Sequence, residues 1–185
     1  PWLGEFAPAD KVVGQVLDRR LNSPLSSSCG RLLDAVSAML GLCARISYEG
    51  QAAIRLEAMQ DMSEKGVYTC PIIEYEQIAE LDTLTLFAQV HAQWREGESA
   101  ARISRRFHLG LMDGLTRLCL LLAGKCSCHT VALSGGVMQN LTLASTLPRA
   151  LAAHGLTVLT HRDLPPNDAC ISLGQAAYGR MVLQP

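Results

Sequence analysis

The last third of the chain alternates short apolar runs with helical segments, and this alternation restricts the possible folds more than any other feature. Residues 130–133 and 156–160 are apolar runs of strand length, and a helical pattern over 138–154 separates them. Another helical pattern, over 169–181, follows the second run. The helix between the two strands supplies the long crossover connection that a parallel pair of strands needs. The alternation predicts a parallel α/β unit, which binds ligands beyond the carboxyl ends of its strands.

The first of these strands runs directly into the glycine turn Ser134-Gly135-Gly136. Because glycine has no Cβ, backbone N–H groups can approach phosphate oxygens closely there, and the following helix N-terminus favours an anion. Asn140, in the first turn of that helix, adds an amide that can reach the same ligand. The turn is equally compatible with a tight strand-to-helix connection that needs a positive φ, since two glycines alone are a weak motif.

The first two thirds of the chain have mostly helical periodicity. Apolar residues recur at helical spacing in segments that we predict as helices, namely 10–21, 28–42, 51–59, 82–95 and 98–124. Residues 67–75 are rich in β-formers but contain Pro71, which predicts an edge strand or an extended connector. The whole pattern predicts a helix-rich α/β fold with a small, largely parallel sheet.

Two further groups of polar residues lie at the ends of predicted elements. Asp34 lies within one helical turn of Gly30 and Arg31; its carboxylate can accept hydrogen bonds from two ribose hydroxyls, while Arg31 can meet phosphate. An ordinary surface ion pair between Arg31 and Asp34 explains the same residues. Asp168 lies just before the last helix, where its carboxylate can bind a cation near phosphates. Capping of the helix by Asn167 or Asp168 explains the same residues.

Composition excludes several classes of protein. With 49% hydrophobic and 18% charged residues, the chain of 185 residues can bury one core and is not disordered. Its formal charge of -1 comes without a long run of either sign, so we expect no nucleic-acid partner. Seven cysteines without a CxxC pair favour the cytoplasm, and we expect no membrane span. The chain begins with Pro1 rather than methionine, which predicts a fragment of a longer multidomain polypeptide.

The segment Cys126-Ser127-Cys128-His129 has the donors of a partial soft-metal site. Two thiols and an imidazole can bind zinc, whereas a structural zinc needs four ligands and no second cluster lies nearby in the sequence. A loop that joins a helix to a buried strand accounts for the same residues.

Four segments together, in their order and spacing, resemble the carbamoyltransferase maturation factor of nickel–iron hydrogenases (HypF). These segments are 27–35, 48–53, 131–140 and 166–175. The resemblance implies that residues 1–185 are the C-terminal lobe of a domain similar to the threonylcarbamoyl-adenosine synthesis enzymes. That domain has the actin and sugar-kinase type of nucleotide-binding fold, which is ribonuclease H-like.

The resemblance also implies a reaction. A carbamoyl-adenylate is made from carbamoyl phosphate and ATP elsewhere in the full protein and is held in this domain. Its carbamoyl group then passes to the C-terminal cysteine of the partner HypE, for synthesis of the cyanide ligands of the hydrogenase. The fragment alone is expected to be inactive.

The family's site residues carry over to matching positions in this sequence. We expect the nucleotide to be bound by Arg31, Asp34, Gly50, Gly135, Gly136 and Asn140. Asp168 matches a ligand of a divalent metal, which is zinc, iron or magnesium, and its partner histidines belong to another lobe. No residue is predicted to be catalytic.

The chain departs from the family at Ala169-Cys170, where two glycines usually follow the aspartate. If those glycines contact phosphate, Ala169 weakens binding. If they only allow close helix packing, small residues are sufficient, and we favour this second interpretation.

Two other functions stay open. A threonylcarbamoyl transferase that acts on tRNA shares the glycine turn and the equivalents of Asp34 and Asp168, although this chain has no basic stripe. A non-catalytic, nucleotide-binding scaffold that docks a maturation partner would use the long helices over 82–124 as its surface.

Overall fold

The computed structural model describes residues 4, 6–76 and 78–183, so the start at Pro1 lies outside the described residues. The elements, in order, are α1 (Ala7–Asp18), α2 (Cys29–Met39), α3 (Gln51–Ala58), β1 (Ile72–Glu74), β2 (Ala79–Leu81), α4 (Thr83–Arg95), α5 (Ala100–Cys126), β3 (Thr130–Leu133), α6 (Leu141–Ala153), β4 (Thr157–Thr160) and α7 (Ile171–Leu183). Short 3₁₀ turns, Gly136–Gln139 and Asp168–Cys170, precede α6 and α7. The predicted helix-rich α/β fold is confirmed.

The parallel pair β3 and β4 is present as predicted. Val131 pairs with Val158 and Leu133 with Thr160, so both strands end at the same edge. Val131, Leu133 and Val158 point inward, because alternate side chains of a strand face opposite sides. On that side they pack against three buried leucines of α6 and the start of β4: Leu147, Leu151 and Leu156. The opposite side of the sheet carries Leu159, which is 55% exposed.

The predicted extended connector is half of a small hairpin. β1 pairs antiparallel with β2, with Ile72 opposite Leu81. Before β1, the extended residues 67–71 cross α5 at two glycines. A Cβ built on Gly110 would lie 2.3 Å from the carbonyl oxygen of Tyr68, and one on Gly114 would lie 2.9 Å from the Cys70 side chain. The absence of a side chain at these two positions therefore permits the crossing.

The helix α5 is shared by two apolar cores. The first core, among the helical elements and residues 68–70, contains Leu33, Val36, Leu40, Leu56, Tyr68, Cys70, Leu86, Val90, Ile103, Phe107, Leu111 and Leu143. Met112 and Leu115 of α5 pack against this core and also against the core beneath β3 and β4. By length and composition alone α5 also qualifies as a membrane span. Its buried face instead joins the two halves of the described chain.

Candidate nucleotide site

The glycine turn after β3 has a backbone that requires glycine. Gly135 has φ +100°, a conformation that L side chains rarely adopt, and its N–H donates to the Pro166 carbonyl at 2.7 Å. A Cβ on Gly136 would meet only the Cβ of Asn167, at 3.9 Å, so the surface above the turn is open. The connection thus needs the positive φ that was one interpretation of the glycines, while phosphate binding on the open outer side stays a prediction.

The ends of the two parallel strands meet beside this turn. Ser134 follows β3 and His161 follows β4, and the imidazole Nε2 lies 2.9 Å from the serine Oγ. Both side chains are exposed. His161 was not predicted as a candidate site residue, although its place directly after β4 was a signal for it. Residues that directly follow two paired parallel strands must be neighbours.

The N-terminus of α2 lies against the same turn. A Cβ on Gly30 would lie 3.8 Å from Cγ2 of Val137, the second residue of the 3₁₀ turn. Arg31 Nη2 and Asp34 Oδ2 are 2.8 Å apart, and their side chains are 64% and 26% exposed. The ion pair considered as the alternative is therefore present, and it holds the carboxylate on the α2 surface. Such an exposed pair stabilises the helix by only about 0.2–0.5 kcal/mol.

Gly50 has a conformational role in the structure. It precedes α3 with φ +80°, and a Cβ there would meet nothing within 4 Å. Glycine is thus required for the backbone angle and not for space. The adjacent loop is fixed by the Gln51 side chain, which accepts the Ser47 N–H at 2.7 Å. The contact of Gly50 with a nucleoside stays a prediction.

The Asn140 side chain is turned into the protein. It is only 7% exposed; its Oδ1 accepts the Leu143 N–H at 3.1 Å and caps α6, while its Nδ2 lies 3.1 Å from Nε2 of His108. Both ends of the amide are therefore used within the fold. These bonds give Asn140 a structural role, and its direct contact with a nucleotide stays a prediction.

Asp168 is exposed at the start of the last 3₁₀ turn. Of the two capping candidates, Asn167 is the cap, since its Oδ1 accepts the Ala169 N–H at 3.2 Å. Among the described residues no group of three or more His, Cys, Asp or Glu is placed to hold a metal. One carboxylate does not fit a divalent metal by itself. Asp168 as one ligand among several stays a prediction.

Cys29, at the start of α2, is not suited to nucleophilic chemistry, because its thiol stays protonated at neutral pH. Burial raises the pKa of Cys29, beside Gly30, to about 11, and nearby Cys70 acts in the same direction. Cys170 donates its thiol to the Asn167 carbonyl at 3.2 Å. Cys126, Cys128 and His129 are exposed and are not brought together with a further donor in the described chain, so a zinc module gains no support.

A family model matches residues 2–175 of the chain: "Carbamoyltransferase, Kae1-like Domain, second subdomain". The carbamoyltransferase HypF2 of Cupriavidus necator is 37% identical over an alignment of 191 residues, gaps included, and this alignment covers 91% of this chain and 24% of the relative. The carbamoyltransferase HypF of Rhodobacter capsulatus is 37% identical over 180 residues, which cover 96% and 23%. The chain thus spans about a quarter of the length of these relatives.

Two solved structures have the same fold. Full-length HypF in a phosphate- and nucleotide-bound form is 31% identical and superposes with a TM-score of 0.87, over 95% of this chain and 23% of that one. The HypF of T. kodakarensis is 28% identical, with a TM-score of 0.77 over 94% and 22%. These neighbours agree with a nucleotide-binding lobe. The chain therefore belongs to the family of carbamoyltransferase Kae1-like domains, as the second subdomain of such a domain.

Proposed function

We propose that the chain forms one wall of the nucleotide site of a carbamoyltransferase and there binds ATP or a carbamoyl-adenylate. The observation that carries the proposal is the open glycine turn at the carboxyl edge of β3 and β4, against which the first turn of α2 packs. The full-length HypF that this chain resembles was solved with phosphate and nucleotide, which supports the assignment. We also propose a cytoplasmic setting, since seven cysteines without a CxxC pair favour a reducing compartment.

In this proposal the nucleotide lies across the glycine turn with its phosphates toward Gly135 and Gly136. Asp34 accepts hydrogen bonds from ribose hydroxyls, and Arg31 moves from the carboxylate to a phosphate. The move is inexpensive, because exposed ion pairs are worth less than about 1 kcal/mol. Gly50 contacts the nucleoside through its backbone, in the conformation that its positive φ gives.

The reaction that we propose for the whole protein is transfer to a thiol. The C-terminal cysteine sulfur of HypE attacks the carbamoyl carbon of the adenylate, the bond from that carbon to the phosphate oxygen breaks, and AMP leaves. The products are a thiocarbamate, AMP and the proton of the thiol. Carbamoyl phosphate, ATP and water supply the adenylate, and phosphate and pyrophosphate are released as it forms. This lobe binds and orients the nucleotide, and no step is assigned to a metal, since the described residues of the chain do not by themselves form a metal site.

Gly136→Ala tests the site, because the added methyl fits the fold but lies on the phosphate-binding surface. We expect calorimetry on the full polypeptide that the gene encodes to give at least tenfold weaker ATP binding, a loss of about 1.4 kcal/mol. Asp34→Ala is expected to act similarly. Gly124→Ala is the matched control, since a Cβ there meets nothing within 4 Å and the residue is exposed near the end of α5. Unchanged affinity in both site variants would remove the assignment.

The alternatives predict different outcomes of simple assays. Threonylcarbamoyl transfer requires tRNA, and modified adenosine in added tRNA would overturn the choice of a protein thiol as acceptor. A docking scaffold predicts that partner binding survives both Asp34→Ala and Gly136→Ala while nucleotide binding is lost. The net charge of -1 favours a protein partner over tRNA, since nucleic-acid surfaces are strongly basic.

A further inference from the structure

His108 is a fully buried imidazole that contacts the residue at which the glycine turn passes into α6. It lies on α5 with 0% exposure, and it is hydrogen-bonded to Ser104 of the same helix and to Asn140. Its Nδ1 is 2.8 Å from the Ser104 carbonyl oxygen, and its Nε2 is 3.1 Å from Nδ2 of Asn140. Ser104 in turn donates its hydroxyl to the Leu56 carbonyl of α3 at 2.6 Å. The group thus connects α3 and α5 to the start of α6.

The partners of the ring determine where its proton lies. A carbonyl oxygen only accepts hydrogen bonds, so Nδ1 carries the proton and donates to Ser104. Nε2 is then an acceptor, and it takes a hydrogen from the Asn140 amide. That choice leaves Oδ1 of Asn140 facing the Leu143 N–H, which is the cap of α6. Burial lowers the pKa of His108 to about 4. The hydrogen bond to the Ser104 carbonyl raises this pKa, and the charge of Arg105 lowers it further. The ring is therefore neutral at neutral pH.

Asn140 is the residue at which the glycine turn passes into α6. Its N–H donates to the Val137 carbonyl at 3.0 Å, and the Met138 N–H donates to the Gly135 carbonyl at 2.9 Å. A displacement of Asn140 therefore displaces the turn, because these short bonds connect them. Among the described residues, the Asn140 amide is the hydrogen-bonded connection between His108 and this turn.

We propose that His108 is a positioning residue, which holds the phosphate-binding turn Gly135-Gly136 in its binding geometry through the amide of Asn140. The proposal rests on the proposed function, since it concerns the same nucleotide site. It makes no claim that His108 touches the nucleotide.

The tautomer of the ring is the first test. Nitrogen NMR of labelled histidine in the full polypeptide at neutral pH should show a protonated Nδ1 and a bare Nε2 for His108. A histidine that merely fills space in a core has no need of this tautomer, which is the less common one in water. A protonated Nε2 would overturn the proposal.

Two substitutions separate the two hydrogen bonds of the ring. The glutamine amide of His108→Gln reaches the position of Nε2 and can still accept from Asn140, whereas that of His108→Asn reaches only the position of Nδ1. We expect His108→Gln to bind ATP within about threefold of the original protein and His108→Asn to bind at least about tenfold more weakly. Equal affinities of the two variants would contradict the proposal.

Asn140→Ser supplies a variant that keeps the cap of α6 and removes the amide donor, since serine also caps helices well. We expect it to weaken binding as much as His108→Asn does, and the double variant to be no weaker than either. Additive losses would mean that Asn140 contacts the nucleotide itself and would overturn the proposal. If His108→Asn fails to fold, the tautomer and Asn140→Ser still decide.

Val90→Ala is the control for general destabilisation, because Val90 is fully buried on α4 and makes no hydrogen bond to this group. Its ATP affinity should equal that of the original protein, and a loss equal to that of His108→Asn would count against a specific role. If the original protein binds no ATP, the proposed function fails. If it binds ATP and His108→Asn binds equally well, only the positioning role fails.

Discussion

At the scale of single residues, Gly110 is the position where this fold tolerates a side chain least. Its helix α5 and the extended segment 67–71 are so close that a Cβ at 110 would overlap the carbonyl group of Tyr68. That obstacle is backbone, which cannot rotate away as a flexible side chain can. The crossing therefore depends on the residue type at this position and not on propensity.

Gly110→Ala is expected to lower the free energy of unfolding by about 1–3 kcal/mol or more, the usual cost of overpacking a core. Urea unfolding followed by circular dichroism measures it. Gly124→Ala, on the same helix in open space, should leave stability equal or raise it by up to about 1 kcal/mol. A similar change in stability in both variants would show that the crossing does not govern position 110.

Glu64 is the acidic residue whose titration should affect stability most clearly. The Gly66 N–H, followed by Arg102 and Arg106, lowers the pKa of its carboxyl to about 2. Its Oε2 lies 2.7 Å from Arg102 Nε and 2.8 Å from Arg106 Nη2. These bonds tie the loop before residue 67 to α5.

Because the pKa of Glu64 is lower in the folded protein, its contribution is present above the ordinary pKa of about 4.5 and is lost as pH falls toward about 2. We expect Glu64→Gln to be less stable than the original protein at pH 6, with the difference narrowing as pH falls through this window. Urea unfolding at a series of pH values measures the difference. A difference independent of pH would show that the ionised form has no special role.

At the scale of elements, the strands and helices with clear periodicity were predicted from sequence and the contacts between elements were not. β3 and β4 are apolar runs with helices between them, so their parallel pairing followed from chain connectivity. β2 was missed, because Ala79-Glu80-Leu81 has no β-branched residue and exists as a strand only through its partner β1. The helix predicted from 138 is instead a 3₁₀ turn up to Gln139 followed by α6.

The candidate site divides in the same way. Gly135, Gly136 and Asp34 were found because their residue types suit phosphate and ribose and because four segments together resemble a family. The role of His108 depends on Asn140, which is 32 residues away in sequence, and no local pattern encodes that pairing. Single residues were thus predictable by chemistry, whereas hydrogen-bond partners required the fold.

At the scale of the whole molecule, two helices bury none of their residues within the described chain. These are α1 and α7, and α7 exposes Tyr178, Met181 and Val182 by 70%, 78% and 63%. The sheet of β3 and β4 is also small, and parallel sheets are normally covered on both faces. Since the chain spans 23–24% of its relatives, we expect the remaining polypeptide to cover these faces.

Met181→Lys tests this expectation. A charge buried on a covered apolar face lowers the free energy of unfolding, whereas a charge on a face that is open to water does not. In the full polypeptide we expect the variant to lower the melting temperature by several degrees, whereas in the 185-residue chain alone it should change little. The exposed Leu84→Lys on α4, at 81% exposure, is the control and should be neutral in both. An equal effect of Met181→Lys in the two proteins would contradict the expected cover.

The sharing of α5 between both cores governs how the lobe opens. Met112 and Leu115 pack against the apolar residues of both cores. We therefore expect that the backbone amides of one half do not open to exchange with solvent while the other half stays packed on α5. The slowest-exchanging amides of α2 and of α6 should therefore exchange together, as one cooperative unit. Nucleotide bound at the turn would then slow proton exchange throughout the lobe, including helices that it never touches.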